Sequence, residues 1–207
     1  MMEEPGTKRA DIDRESERLA KDFLVGNRRA FDRLVLLHQE MVFSLCFRLT
    51  GNYDDADDCA QEVFIKVHRH LGGFRFESSF RTWLYRVTVN TCRNRIDSLE
   101  YRMRRKKVRI DADPGDDGRR APVEIPDGRE GALDALRRKE IGGIIQKALD
   151  LLPAGQKTVV VLRDIEGRSY GEIVQVTGLN EGTVKSKLSR ARLKLRESLR
   201  GKIDEEL

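Results

Sequence analysis

The sequence has no apolar run of the roughly 18 to 20 residues that a membrane span requires. Its charged N-terminus also lacks the apolar core of a secretory signal, so we expect a cytoplasmic protein. The 207 residues include only three cysteines, Cys46, Cys59 and Cys92, and no CxxC pair. This spacing argues against a disulfide framework or a zinc site, and each thiol is expected to pack as a small buried hydrophobe.

Signatures of catalysis are sparse as well. His38, His68 and His70 are the only histidines in the chain. The last two are two positions apart, so a helix would point them to different sides, and no carboxylate pair or glycine-rich phosphate loop accompanies them. Solvated or packed histidines are therefore the better interpretation, and we expect neither an enzyme nor a cofactor or metal site.

Charge, by contrast, is abundant and unevenly distributed. Charged residues make up 36% of the chain and give a net charge of +5. Residues 93–109 and 185–200 are strongly basic, whereas residues 54–58 are acidic. Such segregation suits a protein that meets both nucleic acid and another protein.

Apolar residues recur at helical spacing in two separate stretches, and no alternating strand pattern competes with them. The pattern therefore predicts an all-α protein with two small helical domains joined by a flexible linker. A charged and breaker-rich segment divides the two stretches. The predicted boundaries are an N-terminal tail at residues 1–18, a first domain at 19–98, the linker at 99–131 and a second domain at 132–203.

Residues 169–195 predict a helix-turn-helix, whose second helix enters the DNA major groove. Gly178 lies where the chain must reverse, and Asn180 is a suitable N-cap for the second helix. Along that helix the residues at helical spacing that should pack inward are Val184, Leu188, Ala191 and Leu195. Ser186, Ser189 and Arg190 project away from this stripe, with Lys185 on its flank, as suits a face that reads base edges.

Four motifs occur in an order typical of one family. They read DDADDCAQEVF at residues 54–64, FRTWLYRVTVNTCRN at 80–94, LLPAGQKTVVVL at 151–162 and SYGEIVQVTGLNEGTVKSKLSRARLKL at 169–195. Together they resemble the compact extracytoplasmic-function sigma factors of bacterial RNA polymerase, which keep sigma region 2 and sigma region 4. The departures are small. Cys59 stands where an aliphatic residue is usual, and Val174 and Thr177 stand where Ala and Leu are common.

The resemblance implies that the first domain, sigma region 2, binds core RNA polymerase and the −10 promoter element. The acidic helix would dock on the clamp helices of the largest subunit through Asp57, Asp58, Gln61 and Glu62. An aromatic loop and the helix after it would hold unstacked bases of the −10 element and promote promoter melting. The residues assigned to this −10 site are Phe76, Glu77, Ser78, Arg81, Trp83, Arg86, Asn90 and Arg93.

The resemblance likewise implies that the second domain, sigma region 4, reads the −35 element and docks on the flap of the second-largest subunit. Its expected DNA contacts are Thr183, Lys185, Ser186, Ser189, Arg190 and Arg192. By the same analogy, an anti-sigma factor would hold the protein inactive. A stand-alone helix-turn-helix regulator is the alternative, although it leaves the acidic helix and the aromatic loop unexplained.

Overall fold

All regular secondary structure in the described part of the chain is helical. The computed structural model describes residues 5–98 and 132–200. The N-terminal half contains α1 (Pro5–Leu24), α2 (Arg28–Thr50), α3 (Tyr53–His70), a short 3₁₀ turn (Leu71–Gly73) and α4 (Phe80–Asp97). The C-terminal half contains α5 (Ala132–Asp150), α6 (Ala154–Val160), a π-helical turn (Val161–Ile165), α7 (Tyr170–Thr177) and α8 (Glu181–Leu199). The predicted all-α class is confirmed. The predicted linker and residues 201–203 lie outside the described residues.

The first helix begins earlier than the sequence predicts. The predicted tail extends to residue 18, but α1 begins at Pro5. Ser16, Leu19 and Ala20 are buried where α1 packs against α2 and α4. Because half of the residues in the first half of α1 are charged, its apolar stripe is too short to stand out in the sequence. The domain boundary placed at residue 19 therefore falls inside a helix.

The junction between α2 and α3 follows the predicted stop and start signals. Gly51 ends α2 in the left-handed conformation, with φ of 75°, and its N–H donates to the Phe47 carbonyl. The Asn52 side chain then accepts a hydrogen bond of 3.0 Å from the Asp55 backbone N–H, which caps α3. The acidic first turn of α3 lies at the positive end of the dipole of this helix, where negative charge is favourable. This junction fixes the angle at which the acidic helix leaves the core.

The three cysteines lie in the core of the N-terminal half, as predicted. One comes from each of α2, α3 and α4, and none is more than 1% exposed. A hydrogen bond with Cys92 and burial raise the pKa of the Cys59 thiol, so this thiol stays protonated and behaves as an apolar group. Within residues 5–98 and 132–200, no group of three or more His, Cys, Asp or Glu side chains is arranged to hold a metal ion. Across the same residues, no helix is long and apolar enough to cross a membrane.

The two halves pack against each other at two places. Helix α7 lies on α4, and the C-terminal end of α2 meets α6 and the π-helical turn. At the second place the approach is close, because a Cβ atom added to Gly51 would lie 2.5 Å from the Asp150 carboxylate. Gly51 is thus required both by its positive φ and by its neighbour in the other half.

Candidate nucleic-acid and polymerase interfaces

The helix-turn-helix of the C-terminal half is built from strong local signals. Ser169 and Glu172 form a complete capping box at the start of α7. Gly178 ends that helix with φ of 71°, and the Asn180 side chain accepts a hydrogen bond of 2.8 Å from the Thr183 N–H to start α8. The predicted turn and N-cap are therefore both confirmed. At one departure from the family pattern, the Thr177 hydroxyl donates to the Ile173 carbonyl at 2.7 Å, so this half-buried group has a partner.

Helix α8 divides into a buried stripe and an exposed polar face. Val184, Leu188 and Ala191 are buried, and Leu195 is half-buried at the end of the same stripe. Most of the predicted −35 residues face solvent: Lys185, Ser186, Ser189, Arg190 and Arg192 are exposed, and Thr183 is half-buried. The sequence therefore predicted the division of this helix correctly.

Two of the predicted −35 cations are held by carboxylates of the same half. Lys185 pairs with Glu181 at 2.6 Å and lies over the Tyr170 ring at 5.5 Å. Arg192 forms a bidentate pair with Asp164, with N–O distances of 2.5 and 3.0 Å. Hydrogen bonding to these carboxylates raises the pKa of both cations. The pairs fix where the charges project, and a phosphate would have to displace the carboxylates.

The predicted base-binding loop, residues 74–80, is organised by an aromatic cluster. Phe74 contacts Phe76, Phe80 and Trp83, with ring centroids 4.6, 6.0 and 5.2 Å away. Phe76 has a positive φ of 57°, which is unusual for a bulky residue, and Lys21 lies over its ring at 5.4 Å. Strained backbone of this kind persists only where the surroundings fix it.

The loop residues assigned to the −10 site differ in exposure. Phe76, Ser78 and Trp83 are half-buried, whereas Glu77 is exposed and its carboxylate lies 3.9 Å from Arg75. Trp83 also packs on Phe80, at 5.7 Å. The loop thus offers aromatic faces at the edge of the core, of the kind on which bases stack.

The −10 residues on α4 lie beside the other half of the chain. The Arg86 Nε atom donates to the Gln175 carbonyl of α7 at 2.8 Å. Arg93 donates to Asn90 at 3.1 Å and lines a cavity of about 200 Å³ between the halves. Arg81 is half-buried, and its Nε has no hydrogen-bond partner among residues 5–98 and 132–200. This predicted DNA face is therefore partly covered by α7.

The predicted polymerase-binding residues share the exposed side of α3. Asp57, Asp58, Gln61 and Glu62 are all exposed, whereas the opposite side of the helix is buried. Gln61 donates to Asp57 at 2.9 Å, Glu62 pairs with Lys66 at 2.7 Å, and Arg95 pairs with Asp58 at 2.7 Å. These intramolecular contacts hold a compact acidic surface that faces solvent.

Sequence reasoning missed the residues that join the halves. Tyr85 is fully buried, and its hydroxyl donates to the Glu166 carboxylate at 2.6 Å. The Arg168 guanidinium lies over the Tyr85 ring at 4.6 Å and is only 3% exposed. No local pattern identifies this pair, because the partners are 81 residues apart or more. The only sequence signal is the capping box beginning at Ser169, which places the preceding residues in a loop.

Comparison with known proteins identifies both halves. The sequence profile described as Sigma-70 region 2 matches residues 34–102, and that of Sigma-70, region 4 matches residues 142–195. The chain is 37% identical to the RNA polymerase sigma-H factor of Pseudomonas aeruginosa, over 81% of this chain and 84% of that protein. It is 35% identical to the ECF RNA polymerase sigma-E factor of Escherichia coli, over 86% of this chain and 93% of that protein.

A solved structure shares the fold over most of both chains. It is the sigma factor RpoE of Bartonella quintana in complex with the anti-sigma factor NepR, with a TM-score of 0.56 and 27% identity. The match covers 83% of this chain and 97% of that one. With both regions matched in order, and with relatives at least 35% identical over more than four fifths of its length, the chain belongs to the extracytoplasmic-function group of sigma-70 family RNA polymerase sigma factors.

Proposed function

We propose that the chain acts as an alternative sigma factor that brings core RNA polymerase to a specific set of promoters through the surfaces described above. The observation that supports this most strongly is the pairing of two exposed surfaces of opposite charge. The basic face of α8 suits DNA, and the acidic face of α3 suits a basic protein partner. A stand-alone regulator has no use for the second surface, and the family assignment excludes that alternative.

At the −35 element, α8 enters the major groove with Ser186, Ser189 and Arg190 toward the bases. The serines are short enough to allow close approach, and an arginine can bond a guanine with two hydrogen bonds. Lys185, Arg192 and Thr183 contact phosphates at either side. The guanidinium of Arg192 now binds the Asp164 carboxylate with two hydrogen bonds, and a phosphate that replaced the carboxylate would be bound in the same bidentate way.

At the −10 element, the aromatic loop and α4 bind the strand whose bases have become unstacked. Phe76 and Trp83 offer ring faces, and Glu77 and Ser78 offer polar groups at the rim of the same loop. Arg81, Arg86, Asn90 and Arg93 hold the backbone, and capture of an extruded base offsets the few kcal/mol needed to unstack it. The chain itself makes and breaks no covalent bond, since RNA synthesis is the work of the polymerase.

The acidic face of α3 docks on the clamp helices of the largest polymerase subunit, and the C-terminal half on the flap of the second-largest subunit. Gln61→Ala combined with Glu62→Arg should abolish co-purification with core polymerase while leaving the helical content unchanged. Glu40→Arg, at an exposed position on α2, is the matched charge reversal and should leave binding intact. Unchanged binding by the double variant would remove the assignment of this face.

The deciding experiment is transcription with purified core polymerase on a library of genomic promoter fragments. New start sites that require both components are expected, and the sequences upstream of them should share two elements. Absence of any transcript that depends on the added protein would overturn the proposal.

We further propose that an anti-sigma factor restrains the protein, by analogy with the complex of RpoE and NepR. A pull-down from unstressed cells should recover an inhibitory partner. Recovery of core polymerase alone would count against this regulation.

A further inference from the structure

The cations on the exposed face of α8 differ in whether they carry an intramolecular partner. Arg192 is held by Asp164 and Lys185 by Glu181, and both cations were assigned above to phosphate. Arg190, the cation assigned to a base, is exposed and has no carboxylate within ion-pair distance in the described part of the chain. The ion pairs therefore involve the cations assigned to phosphate and leave the one assigned to a base free.

Asp164 is held in place by the turn that carries it. It lies in the π-helical turn, where Val161 and Leu162 are fully buried. The Glu166 N–H donates to the Val161 carbonyl at 2.9 Å and closes this turn. Because the backbone is anchored and the aspartate side chain is short, the carboxylate stays close to Arg192. The pair is thus fixed by the fold and not by two long flexible side chains.

The Asp164 carboxylate occupies the edge of Arg192 that a phosphate would use. It accepts from Nε at 3.0 Å and from Nη2 at 2.5 Å, the bidentate arrangement in which a guanidinium binds carboxylate and phosphate alike. A phosphate at this edge must break the ion pair. It then lies beside a carboxylate that has lost its partner. Both effects oppose the contact between Arg192 and DNA.

Glu181 opposes the contact of Lys185 in the same way, but more weakly. The two residues are one turn apart on α8, and both side chains are more than half exposed, at 56% and 58%. Exposed pairs at this spacing are weak. The Lys185 ammonium also lies over the Tyr170 ring, so it keeps one contact when it leaves Glu181. Asp164, which is 33% exposed and bidentate, is the stronger of the two.

We propose that Asp164 and Glu181 are internal competitors for DNA phosphate, which lower the affinity of the chain for DNA of any sequence. This role rests on the function proposed above, because it concerns the same −35 surface. Non-specific binding comes almost entirely from cations on phosphates, whereas specific binding adds contacts to bases. With Arg190 left free, a larger share of the binding free energy comes from the bases. Weak binding to the many non-specific sites of a genome also leaves the chain available to core polymerase.

The first test is a double-mutant cycle, measured by fluorescence anisotropy with the free, full-length protein and a duplex of random sequence. Asp164→Asn keeps the size of the side chain and removes its charge. At about 50 mM salt it should bind about fivefold more tightly than the parent. In an Arg192→Gln background the same change should gain less than about twofold, because only the repulsion between carboxylate and phosphate is then removed.

The second test is the salt dependence of the same binding. In the parent, the phosphate that reaches Arg192 also meets the freed carboxylate, so its charge is poorly neutralised and few counterions are released. In Asp164→Asn the slope of log K against log salt should steepen by up to about one, the effect of one further phosphate contact. Glu181→Gln, which leaves the π-helical turn intact, should raise the affinity by about twofold.

Glu197→Gln removes the same charge from an exposed position of α8, about 18 Å along the helix axis from Lys185, and should leave the affinity nearly unchanged. Circular dichroism checks that Asp164→Asn keeps its helical content; if it does not, Glu181→Gln decides. A gain no larger than that of Glu197→Gln, a full gain in the Arg192→Gln background, or a loss of affinity would overturn the proposal. Absence of DNA binding by every variant at low salt would overturn it too.

The proposed function is tested separately. Failure to initiate transcription with core polymerase would overturn that function. The cycle on random-sequence DNA needs no polymerase, so it would still decide whether Asp164 competes with phosphate for Arg192.

Discussion

The two helices assigned to DNA differ in how they are enclosed. Helix α8 buries three of its 19 residues and presents the rest of its surface, including most of the predicted −35 residues, to solvent. Helix α4 buries eight of its 18 residues, and α7 lies across part of its predicted −10 face. The −35 surface is therefore complete within its own half, whereas access to the −10 surface depends on where the other half lies.

This difference follows from what each helix must support. Helix α8 needs one apolar stripe, because it is backed by a small domain and its outer face is left free for the proposed contact with the major groove. Helix α4 packs against α1, α2 and α3 of its own half and also against α7. It thus serves the core and the contact between the halves, in addition to its proposed contact with DNA.

The largest expected effect comes from core deletions, which test whether the halves are separate folding units. Leu84 of α4 and Leu188 of α8 are both buried, so changing either to Ala should lower the free energy of unfolding by about 2–5 kcal/mol. Trp83 is the single tryptophan, so its fluorescence in a urea titration reports the N-terminal half. Leu84→Ala should shift this transition fully and Leu188→Ala less, because Leu188 lies in the other half and is coupled to Trp83 only through the contacts between the halves.

Leu193→Ala serves as the control for the core deletions, since Leu193 is 55% exposed, and it should change the free energy of unfolding by less than about 0.5 kcal/mol. Equal shifts of the Trp83 transition by Leu84→Ala and Leu188→Ala would show that the two halves unfold as one. The two halves could then not be compared as separate folding units.

A smaller effect is expected from Arg190→Ala on the open surface. If Arg190 contacts a base, the loss of binding free energy should be about 1–3 kcal/mol on the selected −35 sequence and much less on scrambled DNA. Fluorescence anisotropy with holoenzyme at fixed salt measures both. Arg196→Ala, at an exposed position later on the same helix, should weaken binding similarly on the two sequences. An equal loss on both sequences for Arg190→Ala would make it a phosphate contact.

The next effect is a pH dependence confined to the N-terminal half. Burial, together with the charge of Arg81, lowers the pKa of His38 to about 4 from an ordinary value of 6.5. Ser16 donates to the Ile12 carbonyl, so its oxygen accepts from the neutral His38 ring at 2.8 Å. Above pH 6.5 the His38 ring is neutral in both the folded and the unfolded chain, and its contribution to the free energy of unfolding is fully present. Between pH 6.5 and 4 the unfolded chain binds the proton first, and that contribution is lost.

At pH 5 the free energy of unfolding should be about 2 kcal/mol lower than at pH 7, since each unit of pKa difference corresponds to about 1.4 kcal/mol. Urea titrations followed by Trp83 fluorescence at pH 7 and pH 5 measure it. His38→Gln should remove this dependence of the free energy of unfolding on pH, whatever its effect on stability at pH 7. A slope that persists in the variant would assign the pH dependence to other groups.

The same two regions show what a sequence can predict. The glycine turn, the Asn180 cap and the stripe of α8 depend on neighbours within a few residues, and all three predictions are confirmed. His38 could be placed as packed or solvated but not decided, because its partner Ser16 belongs to a helix that the sequence did not reveal. Arg192 could be assigned to phosphate, but its carboxylate partner Asp164 lies 28 residues away.

The contact between Tyr85 and Arg168 lies beyond such reasoning for a physical reason. Tyr85 stands in the motif at residues 80–94, which resembles region 2. From the sequence, its aromatic ring fits the core of its own half as well as it fits the boundary between the halves. Its burial is completed by Arg168, whose charge would ordinarily predict an exposed position. Only the fold brings the ring and the guanidinium together.

The smallest expected effect compares the same chemistry in both halves. Asn52 caps α3 and Asn180 caps α8, each by accepting from the backbone N–H three residues on, at 3.0 and 2.8 Å. Changing either to Ala should lower the free energy of unfolding by about 1 kcal/mol, whereas Asp should retain the cap. Asn180→Ala should also weaken binding to −35 DNA, because the frayed first turn of α8 carries Thr183. Asn52→Ala should leave that binding unchanged, since α3 belongs to the other half. Equal losses of −35 binding would mean that the N-terminal half helps to position α8, and the −35 surface would then be no more independent than the −10 surface.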